Sequence, residues 1–193
     1  AFHLLLNMAK LEPGEWVLIM GAAGALGTAA VQVARLVGAR IIAAAGSDAR
    51  VEASRANGAD YGVNYRGQDL AGEVMRITDG RGVDVVCENI ADPTLWPGAF
   101  NSLAFRGRLV TAGAHGGGQV TLDVRRLYHR RLQIIGGPGS TRRDLDRALE
   151  EVRAGRIRAV VDRIMPLREA AVAHRLLEDN SNIGKIILDP TAS

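Results

Sequence analysis

Residues 16–39 read WVLIMGAAGALGTAAVQVARLVGA. The apolar run WVLIM at 16–20 enters a glycine-rich turn, and the turn opens a segment whose apolar residues recur at helical spacing. A short unbroken apolar run bounded by glycine reads as a strand covered on both faces, the situation of a central strand in a parallel sheet. The turn fits the frame Ala22-x-Gly24-x-x-Gly27. In such a frame the backbone turns tightly, a pyrophosphate approaches Gly24 with no Cβ in its way, and Gly27 allows close packing of helix on strand. Amides at about Ala23, Gly24, Ala25 and Leu26 then face an anion at the positive end of the helix dipole. Ala22 stands where glycine is usual, and Gly21 before it can absorb the strain of the turn. No lysine followed by serine or threonine comes after the turn, which excludes a nucleoside-triphosphatase loop.

The same alternation of β-branched run and helical pattern continues along the chain. Strands are expected at 16–20, 40–45 (RIIAAA), 60–65 (DYGVNY), 83–88 (VDVVCE), 108–113 (RLVTAG) and 132–137 (LQIIGG). Helices are expected between them at about 25–37, 48–57, 67–79, 92–104 and 141–154, with Ser47 or Asp48 and Thr141 as N-caps. Gly38, Gly58 and Gly155 follow helical runs where a left-handed residue is wanted, and Pro97 should bend or shorten the fourth helix. Strands alternating with helices in this way imply an α/β fold, a doubly wound parallel sheet of about six strands with helices on both faces, the Rossmann arrangement. Residues 1–15 read as an amphipathic helix over 1–12 leading to Pro13-Gly14, residues 16–155 as the main domain, and 156–193 as a strand-helix-strand tail that breaks the rhythm.

The end of the second strand is informative about the dinucleotide. A carboxylate there, about 20 residues beyond the glycine frame, would accept hydrogen bonds from an adenosine ribose. The position reads Ala45-Gly46-Ser47, uncharged and small, and Arg50 follows one helical step later with a guanidinium suited to a 2′-phosphate. This points to NADP(H); the alternative is Asp48 acting as the ribose acceptor.

Composition narrows the remaining classes. No apolar run approaches the roughly 20 residues of a membrane span, and residues 1–16 lack the pattern of a secretory signal. The single cysteine, Cys87, excludes an internal disulfide or a cysteine-based metal cluster and suits a cytoplasmic protein. The net charge of +3 rests on arginine, densest in RRLYHRR at 125–131, but acidic residues are interspersed and no nucleic-acid motif accompanies it. His3, His129 and His174 form no metal-ligand spacing.

Five segments together carry a family resemblance: LEPGEWVLIMGAAGALGTAAVQVARLVGARIIAAAGSDAR at 11–50, NGADYGVNY at 57–65, TDGRGVDVVCENI at 78–90, FRGRLVTAGAHGG at 105–117 and HRLLEDNSNIGKIIL at 174–188. In order and spacing the chain resembles the cofactor domain of the medium-chain dehydrogenase/reductase superfamily, in its quinone-oxidoreductase and zinc-type alcohol dehydrogenase-like branch. The resemblance implies adenosine-phosphate contacts at Gly46, Ser47, Arg50 and Tyr65. It implies nicotinamide-side contacts at Asn89 and Ile90, then Ala112, Gly113, Ala114 and His115, and at the sixth strand around Ile135.

It further implies an oxidoreductase that moves hydride between NADP(H) and a small carbonyl, alcohol, quinone or enoyl substrate. In such proteins a preceding β-rich domain supplies the substrate pocket and any zinc ligands, so no catalytic residue is assigned and zinc is not assessable from this sequence. The isolated chain is expected to bind NADPH with little turnover. A non-catalytic NADP(H)-binding sensor or scaffold is the alternative, and nucleic-acid binding is a remote third. QVTLDV at 119–124 alternates like a strand outside the crossover series, with Val120, Leu122 and Val124 on one face, and is expected to pair with its own mate in a homodimer.

Overall fold

The computed structural model describes residues 1–137 and 139–192; Pro138, and Ser193 at the end of the expected tail, lie outside the described residues. The strands are β1 (Trp16–Met20), β2 (Arg40–Ala45), β3 (Tyr61–Asn64), β4 (Val83–Glu88), β5 (Leu103–Thr111) and β6 (Gln133–Gly136). They form one all-parallel sheet in the order β3-β2-β1-β4-β5-β6. The chain therefore winds outward from β1 in one direction, returns, and winds outward from β4 in the other. Between the carboxyl ends of β1 and β4 the crossovers diverge and leave a crevice.

The strands β1, β2 and β4 are buried almost throughout because both faces of the sheet are covered. Helix α1 (Ala25–Val37) and the N-terminal segment pack Val31, Val33, Ala34, Leu4 and Leu5 on Val17, Ile19, Ile41, Val85 and Cys87. On the other face, α3 (Leu70–Ile77) and α4 (Trp96–Asn101) pack Leu70, Val74, Trp96 and Phe100 on Leu18, Met20, Ile42 and Val86. Helix α2 (Asp48–Ala56) is capped by Ser47, and α6 (Arg142–Arg153) by a reciprocal Thr141–Asp144 capping box. Gly38, Gly58 and Gly155 all take left-handed or related positive-φ conformations, as their positions after helices require.

Three expectations are corrected. Residues 3–8 form a π-helix, with Ala9 N–H donating to Leu4 C=O five residues back, rather than an α-helix over 1–12. The fourth helix spans only 96–101, and Leu103 and Ala104 already belong to β5, buried beside Val83. The left-handed Arg106 then shifts the β4–β5 register, and an apolar pair before such an irregularity looks like the end of a helix in the sequence. Pro97 meets the second of its two expected effects, a shortened helix without a bend: it occupies the first turn, where its missing N–H has no intrahelical use. Finally, 119–124 is not a strand: Val120 and Leu122 lean on the core, Asp123 caps α5 (Val124–His129), and Val124 is exposed within that helix.

In the tail, β7 (Val161–Pro166) pairs in parallel with β8 (Lys185–Asp189), with α7 (Ala170–Glu178) between them. They form a separate two-stranded sheet and do not extend the main one. Among the described residues no helix is long and apolar enough to cross a membrane.

Candidate functional site

The glycine turn lies at the divergence of β1 and β4. Gly21 takes the positive φ that the turn needs, which leaves Ala22 in ordinary backbone with its methyl group buried; alanine is tolerated there for that reason. A Cβ on Gly27 would collide with Gly21 O and come within 2.6 Å of Ala22 Cα, so Gly27 is required for helix-on-strand contact. A Cβ on Gly24 would meet only Gly21 O, at 3.3 Å; the space beyond Gly24 is not taken by protein. The Gly24 amide itself donates to Gly21 O at 2.9 Å. That leaves Ala25, Leu26 and Gly27 as the first-turn amides with no carbonyl one turn back to bond.

The tail reaches this turn, which the sequence did not disclose. Gly184 N donates to Ala23 O at 2.8 Å and bridges Gly24. Arg50 Nη1 donates to the carbonyls of Asn180 and Asn182, the latter at 2.9 Å, tying α2 to the same tail segment.

At the end of β2, Ser47 Oγ accepts from Arg50 N, and a Cβ on Gly46 would sit 3.2 Å from Tyr65 Oη and 3.3 Å from Arg66 Nε. The structure therefore brings Gly46, Ser47, Arg50 and Tyr65 together and adds Arg66, whose signal was only its place next to Tyr65. Burial raises the phenol pKa of Tyr65, opposed by the charges of Arg50 and Arg66, so the hydroxyl stays protonated. Asp48, the alternative ribose acceptor, takes a hydrogen bond from Asn64 Nδ2 at 2.8 Å and is turned toward β3.

At the end of β4, Asn89 and Ile90 reach back to β1: Asn89 Oδ1 and Ile90 Cδ1 lie 3.1 and 3.7 Å from where a Cβ on Gly21 would be. Gly113 is pressed against Asn89 O, and Gly116 N donates to Ile90 O at 2.6 Å, so the turn after β5 is built on the turn after β4. Ala112, Ala114 and His115 are exposed on that turn. Ile135 lies one strand further out, paired with Val110 and partly buried against the core. The residue under both turns, absent from the expected set, is Glu88, which is 1% exposed.

The residues from the start of α1 through α6 carry a family signature: a zinc-binding dehydrogenase model matches 25–154. The chain belongs to the zinc-binding dehydrogenase family, within the medium-chain dehydrogenase/reductase superfamily. It is 35% identical to a 2-haloacrylate reductase from Burkholderia sp, over all of this chain and 60% of that protein. It is 34% identical to an NAD-dependent alcohol dehydrogenase from Saccharolobus solfataricus, over 94% of this chain and 52% of that protein. The solved structure of AibC superposes with a TM-score of 0.89 at 38% identity, over 99% of this chain and 57% of that one. The chain thus spans little more than half the length of these members of the family. Among the described residues no three His, Cys, Asp or Glu side chains come together to hold a metal, so the zinc in the family's name has no ligand set here.

Proposed function

We propose that this chain is the NADP(H)-binding part of an oxidoreductase that transfers hydride between the nicotinamide and a small carbonyl, alcohol, quinone or enoyl substrate. The observation that carries the reading is the glycine turn at the divergence of β1 and β4, in which Gly27 is sterically required while the space before Gly24 is not taken by protein. The first-turn amides of α1, at Ala25, Leu26 and Gly27, would hold the pyrophosphate. Asn89, Ile90, Ala112, Gly113, Ala114, His115 and Ile135 would line the nicotinamide end, where the bound cofactor supplies the hydride chemistry and the protein supplies orientation.

The preference for the 2′-phosphorylated cofactor rests on the end of β2. The strand end Ala45-Gly46-Ser47 carries no carboxylate, Asp48 is engaged by Asn64, and the Tyr65 hydroxyl and Arg66 guanidinium lie against Gly46, with the charge of Arg50 felt at Tyr65. Residues 16–155 act as the cofactor unit, 1–15 as its connection, and 156–193 as a tail that braces the phosphate turn. The substrate pocket and proton donor belong to parts of the protein outside this chain, so the chain alone binds cofactor without appreciable turnover. Calorimetric titration with NADPH and NADH tests the reading: tighter binding of NADPH is expected, and equal affinities would overturn the NADP(H) assignment.

A homodimer is part of the same reading. Strand β6 is an edge of the main sheet with Ile134 38% exposed, and the irregular segment 119–123 pairs with no strand among the described residues. Such an edge is a template for a twofold mate. Analytical ultracentrifugation should give a dimer that Ile134→Lys dissociates; a monomer for the wild-type chain would refute it.

A further inference from the structure

Glu88 is an anomaly for a buried residue. The residue is 1% exposed, and among the described residues its carboxylate forms no salt bridge. A buried carboxylate without a cation is tolerated only where hydrogen-bond donors converge on it. Here they are backbone groups of the turn that follows. Ile90 N donates to Oε1 at 2.8 Å, and Ala91 N donates to Oε1 at 3.0 Å and to Oε2 at 3.1 Å. The Thr111 hydroxyl at the end of β5 lies 3.5 Å from Oε2 and 3.4 Å from Gly113 O.

The turn held in this way is strained. Ala91 has φ +52°, a left-handed conformation that is unfavourable for a residue with a Cβ and persists only where the surroundings enforce it. The carbonyls of the same turn then fix the next one: Ile90 O accepts from Gly116 N at 2.6 Å and Ala91 O from Gly118 N at 3.3 Å, while Gly113 has no room for a side chain against Asn89 O. One carboxylate is thus the base on which Asn89, Ile90 and the whole 113–118 turn are assembled.

We infer that Glu88 is the positioning residue of the nicotinamide-side turns: it holds Ala91 left-handed and thereby sets the geometry of both the 89–92 and the 112–118 segments. The inference rests on the dinucleotide reading above and adds a specific division of labour. Loss of Glu88 should impair recognition of the nicotinamide half and leave the adenosine half, built on β2 and β3, untouched. Glutamine at this place keeps one acceptor but turns an amide N–H₂ toward backbone donors, so at least one of the three hydrogen bonds is lost.

The test compares two ligands on the whole chain, NADPH and adenosine 2′,5′-bisphosphate, which carries the adenosine half without the nicotinamide. In Glu88→Gln the affinity for NADPH should fall about tenfold, the scale of one charge-assisted hydrogen bond, while that for the bisphosphate stays within about twofold. Glycine adopts the left-handed conformation without strain, so adding Ala91→Gly should restore most of the lost NADPH affinity. That double variant also removes the strain that could keep Glu88→Gln from folding, and it is measured in the same way. Equal losses for both ligands, unchanged NADPH binding, or no rescue by Ala91→Gly would overturn the inference while the dinucleotide reading stands. Failure of the wild-type chain to bind either ligand would overturn both.

Discussion

The crevice between β1 and β4 is made of two turns built in opposite ways. The turn after β1 is made of backbone alone: its shape follows from missing side chains at Gly21, Gly24 and Gly27, and the groups that hold it, Gly21 O for Gly24 N, Ala44 O for Ala22 N and Gly184 N for Ala23 O, are all main-chain atoms. The turn after β4 is made by a side chain: the Glu88 carboxylate gathers the amides of Ile90 and Ala91, and the result is used by a segment some 25 residues further on. The first kind of turn is broken by atoms added at Gly27, where backbone already fills the space, and the second by hydrogen-bond partners taken away. The first is therefore tested by adding atoms and the second by removing donors and acceptors.

The largest effect should come from overfilling the turn after β1. Gly27→Ala places a methyl group within 2.6 Å of Ala22 Cα and against Gly21 O, both backbone, so nothing cheap can move aside. Overpacking of this kind costs about 1–3 kcal/mol, and urea denaturation should show a loss near the upper end of that range. Gly24→Val should behave differently despite its larger side chain. The variant should melt within a few degrees of wild type yet lose NADPH binding, because its side chain enters space that belongs to the ligand and not to the protein. A Gly24→Val protein that still binds NADPH within a few-fold would mean that the pyrophosphate does not lie there.

An intermediate effect is expected at the adenosine end, where side chains again act but at the surface. Arg66→Ala should cost about 1 kcal/mol of NADPH binding, less than a buried charged hydrogen bond because the side chain is exposed, and should leave NADH binding unchanged. Arg50→Ala should lower the NADPH preference similarly and, unlike Arg66→Ala, also loosen the tail, because its guanidinium holds the carbonyls of Asn180 and Asn182. Amide hydrogen exchange at 180–185 separates the two: faster exchange in both variants, or in neither, contradicts this assignment of roles.

The smallest effect lies away from both turns and serves as a reference for them. The Thr141 backbone N–H and hydroxyl, followed by Asn7 and His3, favour the ionised form of Asp144 and hold its pKa down from 3.8 to about 2. Since the folded value lies below the unfolded one, the stabilisation is fully present above about pH 4 and is lost as the pH falls through 2. Thermal melts of wild type and Asp144→Asn should therefore differ at pH 6 and converge toward pH 2. A difference that stays constant over that window would show that the capping box does not act through charge.

Much of the fold is legible in the residues themselves. Strands β1, β2 and β4 lie where their apolar runs place them, because a strand covered on both faces must be apolar at every position. Helices α2 and α6 start after their caps Ser47 and Thr141, since capping is a contact within three residues. The boundaries that escaped are those fixed by distant partners. Leu103 joins β5 because Val83 is beside it, and 119–124 is not a strand, no ladder being formed with it among the described residues.

The same division applies to the site. By itself the sequence determined the glycine turn, the absence of an acid at the end of β2 and the family, since each is written in consecutive residues and turns on the presence or lack of a side chain. Only the tertiary structure showed Arg66 beside Gly46, Asp48 turned to Asn64, the tail braced on Ala23 and Arg50, and Glu88 beneath the turns of β4 and β5. A hydrogen bond between residues far apart in the chain leaves no periodicity behind. A buried glutamate at the end of a strand looks the same in sequence as an exposed one, and its surroundings alone decide what its charge does.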